Sequence, residues 1–245
     1  MNVLMIAGEE EIHIKPLYQI LMKNQCGNIK QCRTLIKHQC VKVNGIIETN
    51  MNYLVQQDDV IEVLDKIIHS QPFVYYIMNK PSGYVCANHD THYPCVTDLL
   101  ERHDCHCVGR LDKETTGLLL LTNDSSMIKK LLLPQFHVAK KYLVEVQKPL
   151  CYELVSIFLQ GVIIDGAKQC LPADLVIIDS YHCYVTIHEG KYHQIKKMFL
   201  SCQNCVVKLK RVQFAGIDLD DELKLGEYRE LTKAEFQKLK EVMIQ

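Results

Sequence analysis

Apolar residues near the start of the chain recur at helical spacing and then give way to an alternating pattern. The spacing predicts one short helix around residues 17–21 and a second around 32–36, separated by a break at Gly27 and Asn28. Residues 41–46 alternate between apolar and polar side chains around an Asn-Gly pair, which indicates a hairpin. A further strand is predicted at 60–64. This part of the chain therefore reads as two helices beside a small sheet.

Strand patterns dominate from residue 73 onward, and helical stretches interrupt them. The predicted strands are 73–78, 118–122, 142–146, 173–178, 184–187 and 206–212. The predicted helices are 97–102, 125–133, 152–160, 193–201 and 233–243. Because strands and helices do not alternate regularly, we expect an α+β fold with a largely antiparallel sheet flanked by helices.

The change in pattern predicts two domains. We expect a small domain at 1–66, whose first eleven residues form an extension, and a larger one at 73–245. Residues 67–72 have no clear period and end in proline, so they are the predicted linker.

Composition narrows the class of protein. The 245 residues are 48% hydrophobic and 23% charged, which argues against disorder and collagen-like structure. No apolar run reaches the roughly 18 residues of a membrane span, and the acidic start is a poor export signal. We therefore expect a cytoplasmic protein that does not bind membranes. The net charge of −1 means that any attraction to nucleic acid must come from local patches.

Two such basic patches are visible. The stretch between Ile12 and Ile47 contains no acidic residue and carries these cations: Lys15, Lys23, Lys30, Arg33, Lys37 and Lys42. Near the end of the chain, a second set is opposed locally only by Glu189: Lys191, Lys196, Lys197, Lys208, Lys210 and Arg211. A run of one charge sign over about 36 residues is more informative than an ordinary solvated face.

Metal and cofactor chemistry find little support in the sequence. Glycine-rich nucleotide loops and the His-Glu-x-x-His zinc motif are absent. Cys105 and Cys107 with Cys202 and Cys205 supply four possible zinc ligands, but Cys-x-Cys is an uncommon spacing for structural zinc. We expect the twelve cysteines to be reduced thiols used in packing, and no metal.

The segment with the most chemistry runs from Val108 to Asp124. It places Arg110 and Asp112 in a glycine-led loop directly before a strand of four leucines. A carboxylate at the rim of a core is partly desolvated and needs a partner. Alternatively, Asp112 only caps a turn, as many loop aspartates do.

This segment, GRLDKETTGLLLLTND, resembles the signature of the RsuA-like pseudouridine synthases, which isomerise uridine in ribosomal RNA. Residues 79–86 (NKPSGYVC), 140–144 (KKYLV) and 189–199 (EGKYHQIKKMF) resemble further motifs of that family. The first and third of these stretches are most similar to those of its small-subunit (16S) members. The basic N-terminal part resembles the S4-like RNA-binding domain that precedes these enzymes. The resemblance implies the pseudouridine synthase fold, and a reaction that needs no cofactor or metal.

The resemblance also implies roles for particular residues. Asp112 matches the family's nucleophile, which attacks either the sugar or the base. Lys196 matches the basic residue beside that aspartate, and Tyr142 matches the active-site tyrosine that lies against the flipped uracil. Without the resemblance, Lys196 would read as a helix-face lysine and Tyr142 as a core residue. Arg110 is expected to contact RNA or to fill the space left by the extruded nucleotide.

The expected partner is ribosomal RNA, as free small-subunit RNA or in an assembly intermediate, bound by a monomer of this protein. Besides Arg110, the residues expected to bind it are Lys30, Arg33, Lys37, Lys42, Lys191 and Lys197. His38 and Cys40 replace a glycine and an arginine usual in the S4-like domain, which predicts weaker RNA binding by this domain. Two other hypotheses remain: a non-catalytic RNA-binding or ribosome-assembly protein, and a zinc-dependent RNA-modifying enzyme.

Overall fold

The chain divides into two compact units, which we describe separately. The computed structural model describes residues 15–56, 59–69, 73–102 and 104–243, so the predicted N-terminal extension lies outside the described residues. The units are Met1–Phe73 and Val74–Gln245. No helix among the described residues is long and apolar enough to cross a membrane.

The first unit packs two helices on small antiparallel sheets. Its elements are β1 (Lys15–Pro16), α1 (Leu17–Lys23), α2 (Ile29–Lys37), β2 (Val41–Val43), β3 (Ile46–Ile47), β4 (Leu54–Val55), β5 (Val60–Val63) and β6 (Lys66–His69). β1 pairs with β4, and the other strands form a sheet in the order β3-β2-β5-β6. The predicted helices and hairpin are confirmed. Leu17 and Leu21 of α1 are buried with Cys32 and Ile36 of α2 in one core.

Local sequence explains where these elements begin and turn. Asn28 caps α2, because its side chain accepts hydrogen bonds from the backbone N–H groups of Lys30 and Gln31. The β2–β3 turn needs a positive φ at both central residues, and Asn44 (φ 53°) and Gly45 (φ 79°) adopt it.

The predicted linker at 67–72 begins too early. Residues 66–69 form strand β6, paired antiparallel with β5. Their side chains gave no clear period because Ile67 is exposed and Ile68 only half-buried, so burial imposes little alternation on this edge strand. The remaining residues, 70–72, lie outside the described residues.

The second unit is built on one large sheet. Its helices and strands are β7 (Tyr75–Lys80), β8 (His106–Cys107), β9 (Thr116–Thr122), α3 (Ser125–Leu132), β10 (Lys140–Val146), α4 (Glu153–Leu159), β11 (Ile163–Ile164), β12 (Lys168–Gln169), β13 (Asp174–Ile177), β14 (His182–Ile187), α5 (Gln194–Ser201), β15 (Val206–Phe214), β16 (Ile217–Asp218), β17 (Tyr228–Glu230) and α6 (Lys233–Val242). Among the described residues, nine strands form the sheet, in the order β13-β14-β10-β15-β9-β7-β17, with β16 on β15 and β8 on β9. Every pair is antiparallel except β9 with β15, which confirms the predicted mixed, mainly antiparallel α+β fold.

Both faces of this sheet are covered, which explains the four consecutive leucines. Leu118 and Leu120 face one apolar cluster, which includes residues of α3 and α6. Leu119 and Leu121 face the other cluster, which includes residues of α4 and α5. A strand buried on both faces loses the polar alternation of a one-sided strand.

Gly117 lets β9 approach β15 closely. A Cβ atom at this position would lie 2.2 Å from the Arg211 carbonyl oxygen, and its φ of +100° is one that L side chains rarely adopt. This contact fixes the end of the 109–117 loop against the sheet.

The predicted helix at 97–102 is wrong. Residues 97–102 do not form an α-helix; a 3₁₀ turn covers Val96–Leu99 instead. Leu100 has an extended backbone and is buried, so the chain turns inward and leaves the helix after a single turn.

Candidate active site

A cavity of about 850 Å³ opens within the second unit. Its walls come from the loop before β9, the start of β10, the segment from Ile187 to Ile195, and β15. Arg110, Asp112 and Tyr142 line it together with His193. Three of the family-like segments, 108–124, 140–144 and 189–199, which lie far apart in the sequence, therefore meet at one cleft.

Asp112 is the acidic centre of this cleft. Its Oδ2 lies 3.0 Å from the Lys196 ammonium, and its Oδ1 lies 3.5 Å from His193 Nε2. The Asp112 side chain is 27% exposed, so it can be reached from the cavity while remaining partly shielded from water. The carboxylate is therefore ion-paired with Lys196 through Oδ2 and has His193 beside Oδ1.

A buried lysine holds the loop that carries Asp112. Lys80, at the end of β7, is fully buried, and its ammonium donates hydrogen bonds to the carbonyl oxygens of Pro81 (3.0 Å), Lys113 (3.0 Å) and Thr115 (2.9 Å). These bonds use all three N–H donors of the ammonium. Burial lowers the pKa of Lys80. Lys80 therefore fixes the backbone immediately after Asp112.

Leu111, the residue before Asp112, is also held in place by a hydrogen bond. The backbone N–H of Leu111 donates to the sulfur of Cys86 at 3.3 Å. Leu111 is buried, whereas Arg110 is exposed at the rim of the cavity. Arg110 and Asp112 are therefore accessible on either side of an inward-pointing leucine.

The segment that presents Lys196 is organised by a buried amide. Gln194 at the start of α5 donates to Glu189 Oε1 (2.8 Å) and accepts from the Lys191 backbone N–H (2.9 Å). His193, which lies between Lys191 and Gln194 in the sequence, has a left-handed backbone with φ 53°. This conformation costs energy in a non-glycine residue. The strained residue and the helix that follows bring His193 and Lys196 to the same carboxylate.

Tyr142 lies deep in the cleft on β10. Its side chain is 7% exposed and lines the cavity, and its strand neighbour across β15 is Arg211. The structure thus gives Tyr142 both positions that the sequence left open, in the core and in the cleft.

Of the residues of the first unit that are expected to bind RNA, three are exposed and one is ion-paired. Lys30, Arg33 and Lys37 are exposed along α2 of the first unit. Lys42, by contrast, lies within ion-pair distance of Glu62 (3.4 Å) and Asp65 (3.2 Å).

The second basic patch is more neutralised than its sequence indicates. Lys191 pairs with Glu189, Lys197 with Asp165 (2.7 Å), and Lys208 with Glu145 (2.9 Å). Glu189 is therefore not the only acidic residue near these lysines, because Asp165 and Glu145, which are distant in sequence, form ion pairs with two of them.

Arg211 was grouped with that patch from the sequence, and this was wrong. It is 1% exposed, and its Nε donates to the Leu118 carbonyl oxygen at 2.6 Å. Sequence reasoning also missed Lys80, Lys140 and His193 as site residues. Their signal was their position inside the family-like motifs, because their residue types alone do not distinguish them from surface residues.

The cysteines that suggested zinc are placed as follows. Cys105 is buried and Cys205 exposed, with Cys107 and Cys202 half-buried. Burial raises the pKa of the Cys105 thiol to about 12, whereas zinc ligation needs a thiolate. No group of three or more potential metal ligands occurs in the part of the chain that the structure describes.

Known proteins resemble both units. Residues 74–201 match the family described as RNA pseudouridylate synthase, and residues 20–61 match the S4 domain. The chain is 36% identical over 214 residues to the ribosomal small subunit pseudouridine synthase A of Haemophilus influenzae, covering 85% of this chain and 92% of that protein. It is 37% identical over 227 residues to the enzyme of the same name from Pasteurella multocida, covering 89% and 97%. A crystal structure of a pseudouridylate synthase superposes with a TM-score of 0.68 at 34% identity, covering 92% of this chain and 99% of that one.

Proposed function

Because this chain belongs to the RNA pseudouridine synthase family, we propose that it converts a uridine of small-subunit (16S) ribosomal RNA to pseudouridine, with Asp112 as the nucleophile. The names of the Haemophilus and Pasteurella relatives support the choice of RNA. The single observation that supports the catalytic assignment is that Asp112, which lines the same cavity as Tyr142, is ion-paired with Lys196.

The reaction sets what the site must supply. The N1–C1′ bond breaks, the uracil turns, and C5 bonds to C1′, while a proton leaves C5 and another binds N1. Since substrate and product are isomers, the balance requires no redox group, nucleotide or metal. The proposal is that side chains alone perform it.

Each residue of the cleft has a separate role in this proposal. The Asp112 carboxylate attacks the nucleotide, and the Lys196 ammonium stabilises the charge of that carboxylate until it reacts. Lysine suits this role as a point charge that needs no bidentate geometry. Tyr142 stacks against the extruded uracil, an interaction worth about 1–3 kcal/mol per base.

RNA binding is distributed over both units. Lys30, Arg33 and Lys37 present an exposed cationic helix face that can contact phosphates. Lys42, Lys191 and Lys197 are assigned supporting contacts, for which their present ion pairs must exchange. Arg110 at the rim of the cavity contacts the RNA beside the extruded nucleotide or fills the space it leaves. The proposed enzyme works as a monomer in the cytoplasm on free ribosomal RNA or an assembly intermediate.

The test is tritium release from a ribosomal RNA fragment labelled at uracil C5. Asp112→Asn is expected to abolish release while RNA binding, measured by filter retention, survives. Asp221→Asn, which removes an exposed carboxylate outside the cleft, is the matched control and should keep full activity. Undiminished release by Asp112→Asn would refute the nucleophile. Binding without release by the wild type, on free RNA and on assembly intermediates, would favour a non-catalytic ribosome-assembly role.

A further inference from the structure

Two cations share the inner wall of the cavity with Tyr142. Lys140 and Tyr142 are alternate residues of β10 and so face the same side of the sheet, and Tyr142 pairs in register with Arg211 of β15. Both cations lie near the ring of Phe214, with Lys140 Nζ at 5.8 Å and Arg211 Cζ at 4.9 Å from its centroid. All four residues line the cavity.

Neither cation has an acidic partner at ion-pair distance among the described residues. Lys140 Nζ donates to the Val138 carbonyl oxygen at 2.7 Å, and Arg211 Nε donates to Leu118. In the described parts of the chain, no carboxylate oxygen lies within 4.0 Å of either cation, and the buried Nη2 of Arg211 has no hydrogen-bond partner. The nearby Glu189 is already committed to Lys191 and to the Gln194 amide.

Such an arrangement costs folding energy. Buried charges are normally paired, because removing an ion from water is unfavourable unless an opposite charge or several hydrogen bonds replace the water. Lys140 is half-buried. This burial, and then the neighbouring Arg211, lower the pKa of Lys140 to about 8, while Glu189 raises it in part, so the ammonium form still predominates at neutral pH. Among the described residues, these two cations of the cleft have no carboxylate at ion-pair distance, which leaves room for a negative partner that arrives from outside.

We propose that Lys140, with Arg211 beside it, binds an anionic oxygen of the nucleotide that enters the cavity. This inference rests on the proposed function, and it adds a charge-stabilising site to the nucleophile and its lysine. The ligand chemistry is an oxygen that carries or develops negative charge next to the uracil-stacking face of Tyr142.

The reaction itself generates such an oxygen. If the Asp112 carboxylate oxygen bonds to C1′, the N1–C1′ bond breaks and its electron pair stays on uracil, spread over N1, O2 and O4. If the carboxylate oxygen bonds to C6, the C5–C6 π pair moves toward O4. Either path places negative charge on a uracil oxygen, and a phosphate oxygen of the same nucleotide is the second source of the same chemistry.

The deciding variant is Lys140→Met, which removes the charge but keeps an unbranched side chain of similar length. Its activity in the tritium-release assay is expected to fall about 10²-fold, the typical effect of deleting one preorganised donor to a developing anion. Lys140→Arg keeps the charge and should retain most of the activity. Lys141→Met is the matched control, because this neighbour lies over the Tyr184 ring, 4.4 Å from its centroid, and does not line the cavity.

Two readouts separate the sources of the oxygen. A lower kcat with an unchanged Kd for RNA identifies the uracil oxygen. A Kd raised roughly tenfold or more, with the difference lost on RNA that carries an uncharged methylphosphonate linkage at the target uridine, identifies the phosphate.

Other outcomes overturn the inference. They are wild-type kcat and Kd in Lys140→Met, an equal loss in Lys141→Met, or a melting temperature more than about 4 °C lower in Lys140→Met, which would mark a structural role. Release by the wild type tests the proposed function separately. If the wild type releases nothing, the comparison of Kd between wild type and Lys140→Met still decides whether the cation binds the nucleotide, and an equal Kd then overturns the inference.

Discussion

Lys80 shows how one side chain can connect stability and chemistry at the residue scale. Its ammonium reaches no carboxylate among the described residues and instead satisfies three carbonyl oxygens around the Asp112 loop. Each buried carbonyl left without a donor costs about 1–3 kcal/mol. The position therefore requires a long side chain that ends in three donors.

Lys80→Met is expected to lower the free energy of unfolding by about 3 kcal/mol, because the carbonyls of Pro81, Lys113 and Thr115 lose their donor. It should also lower kcat by about 10² at temperatures where the variant is folded, because the backbone after Asp112 is no longer fixed. Urea denaturation and tritium release measure the two effects. Lys113→Met removes a half-exposed lysine from the same loop and should change stability by less than about 0.5 kcal/mol. A Lys80→Met protein as stable as the wild type would contradict this account.

At the scale of elements, the carboxylate of Glu235 in α6 binds Arg229 of β17 and also caps its own helix. Glu235 accepts hydrogen bonds from the Thr232 backbone N–H (2.8 Å) in a capping box and from Arg229 Nη1 and Nη2 (2.9 Å each). The Arg229 guanidinium holds the pKa of Glu235 at about 2, below its ordinary value of 4.5. The helix cap and the strand end therefore depend on the same ionised group.

This shift predicts a pH-dependent contribution to stability. A carboxyl whose pKa is lowered in the folded state stabilises above pH 4.5, and the contribution is lost as the pH falls toward 2. Glu235→Gln is expected to cost roughly 2 kcal/mol at pH 7, and the difference from the wild type should shrink between pH 4.5 and pH 3. Urea denaturation at each pH measures it. Glu241→Gln, an exposed change on the same helix, should show no such dependence.

Sequence patterns predicted elements well where local chemistry decides. Asn44 and Gly45 fix a turn by their own backbone preferences, and four leucines mark a strand buried on both faces. Patterns fail where tertiary contacts decide. β6 gained its structure from pairing with β5, and Arg211 looked like a surface cation although it lies beneath the cleft.

The candidate site was predictable only as far as the family motifs reach. Asp112, Tyr142 and Lys196 came from the resemblance, and the structure brings all three to one cavity or its acidic centre. The positions of Lys80 and Lys140 in the site could not be predicted, because both ammonium groups donate hydrogen bonds to backbone carbonyl oxygens, and a single sequence does not show which carbonyls lie nearby.

At the scale of the whole molecule, RNA affinity must come from local charge, because the net charge is only −1. Replacing Lys30, Arg33 and Lys37 together with glutamine should weaken binding to a ribosomal RNA fragment. The slope of log K against log salt concentration should become shallower by about 2, since three phosphate contacts are lost. Filter binding between 50 and 200 mM salt, the range over which counterion release is strong, measures it. The control removes the same charge from α6 by replacing Lys233, Lys238 and Lys240; an equal change in slope there would contradict a specific role for α2.

The order of the sheet places the proposed chemistry on its most protected strands. β10 lies between β14 and β15, and β15 lies between β10 and β9, so Tyr142 and Arg211 are on interior strands while β13 and β17 form the ends of the main sheet order. Amide protons on interior strands exchange with solvent mainly through global opening, whereas ends fray at little cost. Partial unfolding at the margins of the sheet would thus leave the cleft's inner wall intact.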